Sequence, residues 1–474
     1  MRVCIVVEGC YPYVMGGVSS WIQSMITAQP DVEFVIQTLI TNRKGSGKFL
    51  YKLPENVVAV HEIYLQDEDW CGRKPKRVRL TTAQREALGN YIMGRPADLR
   101  QMLGVFRTPD LSVNDLMMGE DFLSIVTEMY RSRYENLQFV DFLWTIRSMY
   151  LPLFFVLRTP PPKADFYHCV ATGYAGMFGV AAKLEHNARL LISEHGIYTR
   201  EREEELIKAK WVQGAYKNVW IEYFSLMSRC AYHYADKVTS LFEDVRQLQV
   251  ELGCPAEKTI VTPNGINADA YKDIPLKEPD DTWVNVGAVL RIAPIKDVKT
   301  MISAFAIAKQ TVPHMKLWLM GPYDDDDPYA QECFALVRAL EVEDVIFTGR
   351  IKVTDYVGKM DILMLTSISE GQPLTILEGY DAKKPCIATN VGNCRGLELG
   401  EADDFGPAGI VLPAMAVSKI ADAIVALASD EALRVHMGEV GYKRLYTKYT
   451  IDHMRAQYRE LYRQMALPLT KEEM

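Results

Sequence analysis

Residues 1–30 read MRVCIVVEGCYPYVMGGVSSWIQSMITAQP, and three kinds of local structure follow along them in order. Arg2–Val7 is a continuous run rich in β-branched residues, the composition of a strand buried on both faces of a parallel sheet. Glu8–Val18 carries Gly9, Pro12, Gly16 and Gly17 and reads as a loop. Trp21–Gln29 has helical spacing, with Ser19 and Ser20 as candidate caps and Pro30 as its stop. Strand, glycine loop and helix in that order begin a βαβ unit. Gly16 and Gly17 then admit two readings. Their N–H groups, unshielded by a Cβ, approach an anion beside the positive end of the helix, or they simply make a tight turn.

Working outward, strand-like runs recur at Val32–Ile40, Phe166–Ala171, Arg189–Ser193, Lys237–Phe242 and Thr259–Thr262, spaced for helical crossovers. Between Gly45 and Arg158 a helical insertion interrupts them, with Met, Phe and Leu stripes at Phe122–Met129 and Leu137–Leu157 that read as core or as a partner surface. From Trp283 the alternation is regular, with strands near Trp283–Leu290, Lys316–Met320, Asp344–Thr348, Asp361–Thr366, Pro385–Thr389 and Gly409–Leu412. The polar, non-periodic Asn267–Asp281 suits a linker. The expected class is α/β, with two Rossmann-like doubly wound parallel-sheet domains. The first is 1–275 with an insertion at about 45–158, joined by a C-terminal helix, 451–474, crossing back. The second is 276–450.

Composition narrows the function. The 474 residues are 49% apolar and 24% charged, as in a globular enzyme of more than one domain. A net charge of −8 gives no reason to expect a nucleic acid as partner. The basic run Arg73–Arg79 reads as a solvated loop or a contact for an anionic surface. Nine cysteines, an odd number without a C-x-x-C pair, read as reduced thiols. The start is too short for a signal-peptide core, and the apolar run Met149–Leu157 is half the length of a spanning helix, so a soluble, cytoplasmic protein is expected.

The motifs converge on the second domain. Gly47-Lys48 fails as a P-loop, because Asn42 stands where the first glycine belongs and Phe49 where the hydroxyl belongs. Asp324–Asp327 reads as an acidic turn before it reads as a metal site. No His pair has a zinc-ligand spacing, and no metal is expected. Ser369–Glu378, SEGQPLTILE, follows a buried strand. Pro373 fits the first helical turn, which puts Glu370 on the loop and Glu378 on the helix, at the carboxyl edge where ligands of open α/β sheets bind. Each glutamate can accept hydrogen bonds from vicinal hydroxyls of a ribose or hexose. The free N–H groups of Leu374 and Thr375, next to Gly371, would face a phosphate. Arg291 and Lys296 follow the first strand of the same domain, as fixed cations for a diphosphate or as a solvated pair. His168 and His195 lie at strand ends in the first half. His195, in Glu194-His195-Gly196-Ile197-Tyr198, stands in a loop, functional or structural.

The spaced glutamates Glu370 and Glu378, Val286-Gly287 with Arg291 and Lys296, Pro263-Asn264-Gly265-Ile266 and Gly16-Gly17 resemble the retaining GT-B glycosyltransferases of family 4. Within it, the strings Glu8–Trp21 and Glu194–Glu203 resemble the PelF subgroup of Pel exopolysaccharide biosynthesis. The resemblance implies two domains facing a cleft that holds a UDP-sugar as donor, with no further cofactor. It implies that Glu378 binds the ribose, Arg291 and Lys296 the diphosphate and Glu370 the donor sugar. Gly16-Gly17 then closes over the donor, and His195 stands near the reacting centre. It also implies a polysaccharide acceptor and inner-membrane partners for export. The spacing from Gly287 to Arg291 is longer than the usual V-G-R, which ties Arg291 to this role less closely than Lys296. Rival readings are a sugar-nucleotide epimerase or hydrolase of the same fold and a catalytically silent nucleotide-sugar-binding subunit.

Overall fold

The computed structural model describes residues 1–43, 46–66, 74–324, 326–400 and 403–467. Gly45, Cys71, Arg73, Asp325 and residues 468–474 of the expected crossing helix lie outside the described residues. The chain divides into two compact units, Met1–Val261 with Tyr458–Met474, and Thr262–Gln457.

The first unit holds a seven-stranded sheet of β1 (Arg2–Glu8), β2 (Glu33–Ile40), β3 (Val57–Tyr64), β4 (Phe166–Cys169), β5 (Arg189–Ser193), β6 (Lys237–Ser240) and β7 (Thr259–Val261), in the order β3-β2-β1-β4-β5-β6-β7. Every pairing is parallel, and β1 sits between β2, with Arg2 opposite Glu33, and β4, with Val3 opposite Phe166. The chain thus winds one way from β1 to β3 and the other way from β4 to β7. The switch point lies between β1 and β4, and the loop after β1 opens on it.

Two details differ from the sequence reading. The first helix is Gly17–Thr27 with Gly16 as its cap residue, so Ser19 and Ser20 lie within its first turn instead of capping it. The region after Gly45 also contains β3, an edge strand of mixed exposure whose His61 and Glu62 obscure the strand pattern. The helical part is confined to Thr82–Ile92, Leu99–Phe106, Val113–Met117, Glu120–Arg133 and Phe139–Arg158, with capping boxes at Thr81/Gln84 and Ser112/Asp115.

Phe139–Arg158 is the one helix among the described residues long and apolar enough to cross a bilayer by length and composition. It extends well beyond Met149–Leu157, and its Phe142, Ile146, Leu153 and Phe154 are wholly buried in the first unit's core. The stripes at Phe122–Met129 and Leu137–Leu157 are therefore core on their inner faces.

The second unit holds β8 (Val284–Val289), β9 (Met315–Met320), β10 (Val345–Gly349), β11 (Ile362–Leu365), β12 (Cys386–Thr389) and β13 (Gly409–Leu412), in the order β10-β9-β8-β11-β12-β13. All six match the expected strands and pair in parallel, and the switch point lies between β8 and β11. This unit begins at Thr262 rather than near residue 276. The cause is backbone pairing. Ile266 N–H donates to Tyr449 O at 3.0 Å, and Ile451 N–H donates to Ile266 O at 2.8 Å. Gly265 lies so close that a Cβ there would meet Thr450 O at 2.2 Å.

The helix Ile451–Met465 starts in the second unit, and from Tyr458 it belongs to the first. Its tyrosines satisfy a buried polar core. His168 bonds Tyr462 Oη at 2.7 Å and Ser193 Oγ at 2.8 Å, and Thr239 bonds Tyr458 Oη at 3.0 Å. Both ring nitrogens of His168 are engaged, one as donor and one as acceptor, which suits the neutral ring and a structural role.

Phe154 packs against Phe106, Tyr150 and Phe122 at centroid distances of 5.1, 5.7 and 6.1 Å. Phe154→Ala is expected to lower the unfolding free energy of this unit by about 3–5 kcal/mol in urea titrations followed by circular dichroism. A loss below about 1 kcal/mol would mean that the insertion is not part of the core.

Candidate functional site

The second unit gathers most of the expected donor residues at its switch point. β8 runs into the loop bearing Arg291 and a short 3₁₀ turn, Pro294–Lys296, and β11 runs into the loop bearing Glu370. Two hydrogen bonds hold these loops together. Ile368 N–H donates to Ile295 O at 2.8 Å, and the Thr366 hydroxyl donates to Lys296 O at 3.1 Å. The Lys296 ammonium then meets Glu370 Oε1 at 2.5 Å, and the Ser367 hydroxyl donates to the same oxygen at 2.5 Å. Glu370 is nearly buried, with a side-chain exposure of 12%. An ammonium has three donors, so the pair leaves Lys296 able to bind a phosphate oxygen as well. Arg291 is exposed two residues beyond the end of β8.

A helix, Leu374–Asp381, starts directly after this loop. Pro373 stands at its cap position and no side chain caps it, so its first N–H groups, including those of Leu374 and Thr375, point out of the helix end. Two clamps set the angle of entry. Gln372 exchanges hydrogen bonds with the Asn264 backbone, 2.8 Å to its N–H and 3.0 Å to its carbonyl. Asn393 N–H donates to Gly371 O at 2.9 Å. Gly392 passes beside this loop with φ +51°, and a Cβ there would meet Glu370 O at 2.3 Å. Only glycine fits that passage.

Glu378 is half-buried, and burial raises its carboxyl above the usual range, opposed by a hydrogen bond from Tyr271. Burial and the Glu378 charge in turn push the Tyr271 hydroxyl up. Sequence reasoning missed Ser367, Gln372 and Tyr271, each of which acts through a partner that the linear pattern does not pair with it. Tyr271 had been assigned to a linker.

In the first unit, His195 follows β5. Its Nε2 is buried without a hydrogen-bond partner among the described residues, and burial lowers its pKa to about 4. The Trp21 ring meets it edge-on at 4.4 Å. A Cβ on Gly16 or Gly17 would touch nothing within 4 Å, and Gly16 is in extended backbone, so neither glycine is demanded by packing. Among the described residues no group of three or more His, Cys, Asp or Glu is placed to hold a metal ion. Asp327 caps the helix Pro328–Ala339 by accepting from Tyr329 N–H at 2.8 Å.

Residues 1–257 match the family described as domain of unknown function (DUF3492), and residues 281–430 match glycosyl transferases group 1. The chain is 27% identical over 217 residues to D-inositol 3-phosphate glycosyltransferase of Kribbella flavida, covering 42% of this chain and 49% of that protein. It is 26% identical over 236 residues to exopolysaccharide phosphotransferase SCO2592 of Streptomyces coelicolor, covering 48% of this chain and 23% of that protein. The chain thus spans about half the length of the first relative and less than a quarter of the second. Anabaena HepE, solved in complex with UDP, has a TM-score of 0.62 at 15% identity, with 98% of this chain and all of that chain covered. That likeness is one of fold, and the two Rossmann-like units are the architecture of GT-B glycosyltransferases.

Because His195 is buried beside an aromatic wall, nitrogen NMR of the folded protein is expected to show its imidazole neutral at pH 7, titrating near pH 4. The depressed value makes its contribution to stability complete above the unfolded histidine pKa, near 6.5, and lost as pH falls through the folded value. A midpoint at or above 6.5 would contradict the burial of the ring.

Proposed function

We propose, on the premise that this chain belongs to the DUF3492 family and carries a glycosyl transferases group 1 domain, that it is a retaining, metal-independent glycosyltransferase. It moves a hexose or N-acetylhexosamine from a UDP-sugar to a growing exopolysaccharide of Pel type. The work is done on the cytoplasmic side, with inner-membrane partners exporting the polymer. The observation that carries the reading is the Lys296–Glu370 pair at the switch point of the second sheet, beside an uncapped helix N-terminus. The exopolysaccharide context is supported by the name of the Streptomyces relative, and the Pel type by the strings Glu8–Trp21 and Glu194–Glu203.

The chemistry follows from charge. Breaking the anomeric C–O bond leaves a diphosphate whose negative charge grows along the reaction path, and groups placed where that charge develops lower the barrier. Lys296, Arg291 and the N–H groups of Leu374 and Thr375 take that role. Glu378 accepts hydrogen bonds from the ribose hydroxyls and Glu370 from those of the donor sugar. The acceptor oxygen bonds to the anomeric carbon on the face the phosphate leaves, and its proton passes to the departing phosphate oxygen. The first unit contributes neutral His195 and the open N–H groups of Gly16 and Gly17.

Incubation with UDP-glucose and with UDP-N-acetylhexosamines, followed by proton NMR, is expected to show a glycosidic product with the donor's anomeric configuration. Glu370→Gln is expected to lower turnover about 100-fold or more without unfolding the protein. An isomerised UDP-sugar or free sugar as sole product would make the protein an epimerase or a hydrolase. Binding without turnover would make it a silent subunit.

A further inference from the structure

The strings Glu8–Trp21 and Glu194–Glu203 are separated by more than 170 residues of chain, yet they face each other across one cavity of about 290 Å³ in the first unit. Its lining includes Glu8 after β1, Val170 after β4, and His195, Tyr198, Glu201 and Arg202 after β5. These are consecutive strand ends at the carboxyl edge around the switch point, where open α/β sheets bind ligands.

The carboxylates are built into place. Glu8 accepts from the Tyr198 hydroxyl at 3.2 Å and from Ala175 N–H at 3.5 Å. Ala175 lies in the first turn of the helix Tyr174–His186, which has no side-chain cap of its own. Two glycines make the room. A Cβ on Gly173 would meet Tyr198 Cζ at 2.1 Å, and one on Gly196 would meet Glu201 Oε1 at 2.1 Å. The Arg202 guanidinium lies 5.4 Å from the centre of the Tyr198 ring. Burial pushes the carboxyl groups of Glu8 and Glu201 up, with the Arg202 charge opposing it in both cases. A helix that needed only a cap would be served by a serine or aspartate at the cap position, without two carboxylates desolvated around a cavity.

We infer that this cavity binds the terminal sugar of the acceptor, with Glu8 and Glu201 accepting hydrogen bonds from its hydroxyls and Arg202 donating to its oxygens. Tyr198 is a positioning residue that holds the Glu8 carboxylate toward the cavity. A hydroxyl-rich ligand suits the lining, because each carboxylate can accept two hydrogen bonds from neighbouring hydroxyls, while the Trp21 and His195 rings border the same space. The inference rests on the transferase reading above, and it assigns to this cavity what that reading leaves open.

The test compares wild-type protein with Glu8→Gln, Glu201→Gln and Tyr198→Phe. Saturation-transfer NMR reports binding of two probes, cellotetraose and chitotetraose, and calorimetry reports binding of UDP. The wild type is expected to bind at least one tetrasaccharide. Each glutamine variant should weaken that binding about tenfold and the phenylalanine variant less, with UDP affinity kept within about twofold. Glutamine keeps the shape and a hydrogen-bond acceptor, so a cap-only role for Glu8 would shift the melting temperature and leave tetrasaccharide binding unchanged, which overturns the inference. Failure of both probes to bind the wild type overturns it too. Loss of UDP binding by the wild type would instead strike the transferase reading itself.

Discussion

Parallel strands that wind in opposite directions from a common centre leave a crevice at their carboxyl ends. In this protein that constraint determines where chemistry can occur. In the second unit the crevice lies between β8 and β11, and the loops that leave these strands are tied by the bond from Ile368 to Ile295 and by that from Thr366 to Lys296. Only because the loops are tied can Lys296 and Glu370 form their ion pair, and only because Gly392 has no side chain can the Glu370 loop lie where it does. A pair this far out of water gains from Coulomb attraction only if its remaining hydrogen bonds are satisfied, and Ser367 supplies one of them.

The same constraint made much of the fold legible. All six strands of the second unit are short apolar runs between helical stretches, and the pattern needs no long-range information to be seen. Glu370 and Glu378 stood out because a proline between them fixes where loop ends and helix begins. Less was legible where the deciding interaction is remote in sequence. Nothing local to Gln372 says that its amide will grip Asn264, more than a hundred residues earlier, and nothing local to Tyr271 says that it will bond Glu378. The edge strand β3 escaped because a strand with one neighbour carries polar residues, and the helix after β1 began early because Gly17 lacks the features by which a helix start is recognised.

The first unit shows how a polar interior is satisfied. His168, Ser193, Thr239, Tyr458 and Tyr462 form one hydrogen-bonded set at the place where the last helix meets β4, β5 and β6. Glu194 is wholly interior, bonded to Tyr232 at 2.6 Å and to Gln249 at 3.0 Å, so the residue beside His195 serves the frame. Its neighbours in the chain, His195, Tyr198, Glu201 and Arg202, instead line a cavity. Within one stretch of ten residues the sequence therefore mixes scaffold and candidate chemistry, which is why a motif read as a string does not by itself tell the two apart.

The central claim is that the second unit holds a uridine diphosphate group at the Lys296–Glu370 crevice with Glu378 on the ribose. Calorimetric titration of the purified protein with UDP, ADP and GDP, without added metal and beside Glu378→Ala, tests it most directly. The account predicts that UDP binds in preference to the other two and that the alanine variant binds it at least about tenfold more weakly, the loss of one charge-assisted ribose contact. No nucleotide binding, or UDP binding indifferent to Glu378, would contradict it.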